Sequence, residues 1–196
     1  MEFTHAKFRV MLVADDTEHQ QILEQALTAA SHVIAARLGT KADLLTAINL
    51  HKPDIILIDV DAPHSEMLES LDHINRDQPL PVIIFTGHSD AETTRRVMDA
   101  GVSAFVMDGL RPERIPSLLH VAVARFEAQQ VLHHDLNAAR SRLSDLQDIE
   151  KAKGILMKRR GLDEAAAFAL LRRMAMDRQQ RIGEFARLLL SAADIL

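Results

Sequence analysis

Five times within its first 110 residues the chain alternates a short apolar run with a stretch of helical periodicity, and aspartate stands at or next to the end of three of those runs. The runs occupy residues 9–14, 33–38, 54–60, 81–86 and 104–107. They are rich in Val, Ile and Leu and too short for helices, the pattern of strands buried on both faces. Between the first two, Ile22, Leu23, Ala26, Leu27 and Ala30 recur at spacings of three and four, as on a helix. A second helix is expected to begin at Thr40 or Lys41, carry Leu44, Leu45 and Ile48, and stop at Lys52-Pro53, because proline disfavours helix in the residue before it. Further helices are expected over 65–75, over 91–100 and from Pro112 onward. Strand–helix units repeated in this way predict a parallel sheet covered on both faces, a doubly wound α/β domain. In such sheets functional groups gather beyond the carboxyl ends of the strands, where the strand order switches.

Asp15 and Asp16 follow the first run, Asp59 lies at the end of the third, Thr86 closes the fourth and Asp108 follows the fifth. Carboxylates converging from separate strands repel one another and raise each other's pKa values. A hard divalent cation such as Mg2+, which takes oxygen ligands, relieves that repulsion. A carboxylate beside such an ion can act as a nucleophile toward phosphorus, giving an aspartyl phosphate, and the Thr86 hydroxyl is placed to bond a phosphoryl oxygen. Taken singly, each aspartate also reads as a turn former or a helix cap.

Composition narrows the class. The chain of 196 residues has no cysteine, which excludes disulfide scaffolds, thiolate catalysis and Cys-based zinc fingers. The first ten residues include Glu2, His5, Lys7 and Arg9 and lack an apolar core, so no secretory signal is expected. No apolar run approaches the roughly 20 residues that cross a bilayer. The expectation is a cytoplasmic protein without membrane contact. The net charge of -5 is unevenly spread. Residues 1–147 hold 13 Lys and Arg against 21 Asp and Glu, whereas residues 148–196 hold 10 against 7. Between Lys151 and Arg181 the balance is 9 basic to 3 acidic. An acidic front half suits cation or phosphate chemistry and a basic tail suits a polyanion, although Lys and Arg also simply solvate helix faces.

Asp15-Asp16, Asp59, Thr86-Gly87 and Phe105 resemble the receiver domain of two-component response regulators, over about residues 7–125. The resemblance implies a flavodoxin-like α/β fold, with Asp59 as phosphoacceptor. It implies Mg2+ held by Asp15, Asp16, Asp59 and the backbone carbonyl of Asp61, and switching through Thr86 and Phe105. One position departs from the family. The lysine that follows the fifth strand, where its ammonium pairs with the acceptor carboxylate, is Asp108 here. A negative charge in place of that clamp removes a preorganised charge worth a few kcal/mol and repels a phosphoryl dianion. Either Asp59 is a poor acceptor and a binding partner switches the domain, or Asp108 points into solvent.

After Pro116 there is no Gly or Pro through Gln147, and helix-forming Ala, Leu, Arg, Gln and Glu dominate. Leu132, Leu136, Ala139, Leu143 and Leu146 repeat at 4-3-4-3, a coiled-coil seam of about two heptads. It predicts homodimerisation through residues 130–148, unless the seam folds against the helices that follow. The domain reading is therefore 1–125 for the receiver-like domain, 126–147 for a helical, coiled-coil-like linker and 148–196 for a small all-α domain.

Three helices fit the last segment, over 149–159, 163–176 and 181–193, with Gly161 as a left-handed stop and Asp163 as an N-cap. Ile149, Ala152, Ile155 and Leu156, then Ala166, Leu170, Leu171 and Met174, then Ile182, Phe185, Ala186, Leu188 and Leu189 form its expected core. Phe168 and Phe185 are both expected inside it. Lys151, Lys153, Lys158, Arg159, Arg160, Arg172, Arg173, Arg178 and Arg181 are left for the surface. The strings Ile149-Glu150-Lys151-Ala152-Lys153-Gly154-Ile155-Leu156-Met157 and Leu171-Arg172-Arg173-Met174-Ala175-Met176 resemble the ANTAR domain, the RNA-binding module of AmiR- and NasR-type antiterminators. The segment from Phe105 to Leu110 further resembles the NasT branch, which regulates nitrate and nitrite assimilation.

The resemblance implies binding to tandem hairpins in a leader mRNA, so that a terminator cannot form. It implies a non-enzymatic regulator controlled by a nitrate-sensing inhibitor protein or by a histidine kinase acting on Asp59. Lys151, Lys153, Gly154, Lys158, Arg159, Arg172 and Arg173 are the expected RNA-binding residues. Gly154 suits close approach of a nucleic acid and close helix packing equally well. Two alternatives stand beside this reading. One is a DNA-binding response regulator activated at Asp59, against which no helix–turn–recognition-helix segment stands out. The other is a docking module whose basic tail is only solvated surface.

Overall fold

A computed structural model describes residues 7–87, 89–107 and 111–193. They form two compact units, one up to Gln129 and one from Gln130. In the first, strands β1 (Arg9–Ala14), β2 (Val33–Leu38), β3 (Ile55–Asp59), β4 (Val82–Phe85) and β5 (Ala104–Val106) make one parallel sheet in the order β2-β1-β3-β4-β5. Helices α1 (Thr17–Ala29), α2 (Leu44–His51), α3 (Ser65–Asp77) and α4 (Ala91–Asp99) alternate with the strands. This is the expected doubly wound fold, and its order reverses at β1 and β3.

Period-two alternation splits each central strand between two cores. Met11, Val13, Ile56, Ile58, Val82 and Ile84 face α2, α3 and α4. Val10, Leu12, Ile55, Leu57, Ile83 and Phe85 face α1 and Ile115, Leu119 and Ala122. With both faces covered, the only polar outlet for the strands is at their ends. The register sets Ala14, Asp59, Phe85 and Val106 side by side, so Asp15, Asp59 and Thr86 come out at one edge.

Two boundaries differ from expectation. Helix α2 starts at Leu44 rather than at Thr40 or Lys41, because Asp43 caps it: its carboxylate accepts from the Thr46 N–H at 3.1 Å and from the Thr46 hydroxyl at 2.6 Å. The helix that begins after a 3-10 turn, α5 (Ile115–Arg160), also runs unbroken through the region read as a linker followed by a separate helix. Pro116 lies in its first turn, where proline is tolerated, and Gly154 costs about 1 kcal/mol relative to Ala without breaking the helix.

In the second unit α5 is followed by α6 (Glu164–Asp177) and α7 (Ile182–Ala193). Gly161 is left-handed at φ +65°, and Asp163 accepts from the Ala166 N–H at 2.7 Å, as the sequence predicts. The core is Ala152, Leu156, Ala167, Leu171, Ala175, Phe185 and Ala186. Alanines at 167 and 175 let α6 pack closely, and the buried stripe runs through Ala167 rather than Ala166, which is exposed. Leu188, read as core, is also exposed. No helix among the described residues is long and apolar enough to cross a membrane.

Candidate functional site

At the carboxyl edge of the sheet every described acidic candidate has an intramolecular partner. Asp15 accepts from the Thr40 backbone N–H at 2.9 Å and, through its other oxygen, from the Thr40 hydroxyl. Those two bonds, the hydroxyl's first, hold Asp15 below the ordinary carboxylate range. Asp16 is the N-cap of α1, accepting from the N–H groups of Glu18 at 2.8 Å and His19 at 3.0 Å, and they likewise lower its pKa. Thr86 is buried, and its hydroxyl donates to the carbonyl of Asp61 at 2.6 Å. That carbonyl is the one expected to face a metal. Phe105 is half-buried against the α2–α3–α4 core. Asp108 lies outside the described residues.

Asp59 has a partner that the sequence reading did not find. His19, in the first turn of α1, brings Nδ1 to 2.7 Å from Asp59 Oδ2. The Asp59 side chain is 11% exposed and that of His19 48%. Burial pushes the Asp59 carboxyl above its ordinary range while the His19 bond pulls it down, and the same bond raises the imidazole. No local pattern announces this pair, since the two residues stand 40 positions apart.

The donor types at this edge suit Mg2+, but their arrangement does not. Both Asp15 oxygens accept from Thr40, Asp16 Oδ1 caps the helix terminus, Asp59 Oδ2 is held by His19 and the Asp61 carbonyl by Thr86. Among the described residues no three His, Asp or Glu side chains are grouped to hold a metal ion.

The second unit presents the opposite picture. Lys151, Lys158, Arg159, Arg160, Arg172 and Arg173 are exposed, and no ion pair among the described residues involves them. Lys151, Gly154 and Lys158 fall at i, i+3 and i+7, on one face of α5. A Cβ at Gly154 would meet nothing within 4 Å, so helix packing does not require glycine there. Lys153 departs from expectation. It is 7% exposed, with Nζ at 2.8 Å from Glu150 and 2.7 Å from Glu164. Two carboxylates already answer its charge, and it clasps α5 to the start of α6. Phe168 departs in the other direction. It is 43% exposed while Phe185 is buried, and it lies one turn before Arg172 on the outer face of α6.

A parallel sheet in this order, with aspartates at its carboxyl edge and a basic three-helix unit in the same chain, defines a receiver-type regulator. Comparison with known proteins agrees. The response regulator receiver domain model matches residues 10–120, and the ANTAR domain model matches residues 137–190. The chain belongs to the response regulator receiver family and carries an ANTAR domain after its receiver. It is 26% identical over 182 residues to the transcriptional regulatory protein PdtaR of Mycobacterium tuberculosis (strain CDC 1551 / Oshkosh), covering 93% of this chain and 89% of that one. To the DNA-binding transcriptional regulator NtrC of Proteus hauseri it is 28% identical over 141 residues, 71% of this chain but 29% of the relative. A CheY-like receiver domain protein from Methanospirillum hungatei JF-1 shares the fold at a TM-score of 0.54 and 21% identity, covering 63% of this chain and 99% of that one.

Proposed function

We propose that this chain is a transcription antitermination regulator whose ANTAR unit binds paired hairpins in a leader mRNA. The reading is carried by the exposed cations of α5 and α6 that have no ion-pair partner among the described residues, gathered in the stretch the ANTAR domain model matches. Lys151, Lys158, Arg159, Arg172 and Arg173 neutralise phosphates, and counterion release makes the affinity salt-dependent. Gly154 offers bare backbone between two lysines, where a phosphate strand can approach. Phe168 offers a face on which an unpaired loop base can stack, the mode by which RNA loops are read. Lys153 is reassigned from RNA contact to holding α6 in place.

The receiver unit decides when the RNA-binding unit is free. Asp108 at the family's lysine position and the engagement of Asp59 by His19 favour control by a binding partner over a histidine kinase. By its likeness to the NasT branch, that partner is a nitrate-sensing inhibitor protein, and the regulated genes serve nitrate and nitrite assimilation. Leu132, Leu136, Leu143 and Leu146 are exposed along α5, and a second copy in parallel covers them. In that register Asp135 at a g position faces Arg140 at the next e position, a pairing of opposite charge. Sedimentation of the purified chain as a dimer supports this arrangement, and a monomer at micromolar concentration removes it.

Retention of a leader-hairpin pair and of duplex DNA of the same sequence, measured at several salt concentrations, tests the function. Preference for the hairpins, falling as salt rises, is the expected result. Preference for the duplex returns the chain to the DNA-binding reading, and no preference among polyanions removes the function.

A further inference from the structure

The receiver's acidic edge disagrees with the metal chemistry of its family, and the disagreement has a structural author in His19. We propose that His19 is a positioning residue that occupies Asp59 in place of a divalent cation, so that metal binds this receiver only by displacing the imidazole. The inference concerns the acidic edge alone and stands whether or not the ANTAR unit binds RNA.

Three observations support it. First, His19 reaches Asp59 from the first turn of α1, the turn capped by Asp16. It therefore approaches from the side of the acidic pair, whereas Thr86 lies beyond β4 on the other side. The oxygen it holds is Oδ2, on the carboxylate that lies close enough to Asp16 to feel its charge. Second, the imidazole is preorganised. Its own backbone N–H is fixed at 3.0 Å by Asp16 while its Nδ1 donates to Asp59 at 2.7 Å. One acidic side chain thus anchors the backbone of the residue whose ring holds another. Third, Asp59 is nearly enclosed while His19 is about half exposed, which puts the ring between the carboxylate and solvent.

Removing the ring leaves Asp59 beside Asp16 with no hydrogen-bond donor to Oδ2 among the described residues. Carboxylates so placed attract a hard cation to relieve their repulsion. The contest is between one charge-assisted hydrogen bond and the coordination of the ion.

Mn2+, whose free form is counted by electron paramagnetic resonance, serves as the probe, with Mg2+ added as competitor, on the full chain at one fixed pH. His19→Ala is expected to bind Mn2+ about tenfold more tightly than the unaltered chain, a factor within reach of one charge-assisted hydrogen bond. His19→Gln, which restores a neutral donor, is expected to lie between the two. The combination of His19→Ala with Asp59→Asn is expected to lose the gain, which locates the effect at Asp59. Equal or weaker Mn2+ binding by folded His19→Ala overturns the proposal, since weaker binding would make His19 a ligand. If that variant does not fold, His19→Gln decides: affinity above that of the unaltered chain supports the proposal, and affinity at or below it overturns the proposal.

Discussion

The acidic edge of the first unit and the basic helices of the second treat charge in opposite ways. At the carboxyl edge of the sheet, Asp15, Asp16 and Asp59 are each held by a hydrogen bond from within the chain, and the carbonyl of Asp61 is held by Thr86. On α5 and α6, exposed lysines and arginines stand with no ion-pair partner among the described residues. A charge that has an internal partner defines structure, and one without a partner is available to a ligand. The contrast therefore sets an acidic edge bonded within its own fold against a basic helical surface left open to a ligand. Lys153 shows the rule inside the basic unit, because its two carboxylate partners remove it from the binding surface.

The largest effect expected comes from reversing two unpartnered cations. Lys158→Glu combined with Arg172→Glu should weaken hairpin binding by about 100-fold and lower the salt slope of the affinity by about two. Filter binding across a salt series measures both, and an unchanged slope would break the contrast. Gly154→Ala sharpens it by moving stability and function in opposite directions. The alanine should raise helix stability by about 1 kcal/mol, seen in thermal unfolding, while its methyl group reduces RNA affinity in the same preparation.

Lys153→Met should do the reverse of the Lys158 reversal. Glu150 and Glu164 lose their shared ammonium and the second unit melts earlier, yet the salt slope of RNA binding stays as it was. The smallest effect concerns acid. Asp15, Asp16, Asp43 and Asp90 are all held below the ordinary carboxylate range, by Thr40, by His19 and Glu18, by Thr46 and by Thr93 respectively. A carboxylate whose pKa is depressed by folding stabilises the fold above its unfolded value of about 3.9 and loses that contribution as pH falls through the folded value. Unfolding midpoints should therefore drop as pH falls below about 4. Backbone signals of α1, α2 and α4 should weaken ahead of those of α7.

Much of this was legible in the chain itself. The five strands, the strand-end aspartates and the helical tail follow from periodicity, because a sheet covered on both faces leaves its strands no other pattern. The start of α2 was misread because Thr40 and Lys41 are compatible with a helix, while the cap at Asp43 decides where one begins. Lys153 had a local signal that went unread: with Ile149, Ala152 and Leu156 it occupies the stripe i, i+3, i+4, i+7 that α5 turns inward. Phe168 was misplaced for a related reason, since small residues at 167 and 175 carry the buried stripe and leave the larger aromatic outside. The pairing of His19 with Asp59 had no local signal, because only the folded sheet brings a first-turn residue of α1 beside the end of β3.

Photocrosslinking a leader-hairpin RNA to the full chain and sequencing the modified peptides tests the central contrast most directly. Crosslinks confined to α5 around Lys151 to Arg159 and to α6 around Phe168 to Arg173, with none at the aspartate edge of the sheet, are what unpartnered charge predicts. Crosslinks spread evenly over both units, or concentrated on the receiver, would contradict it.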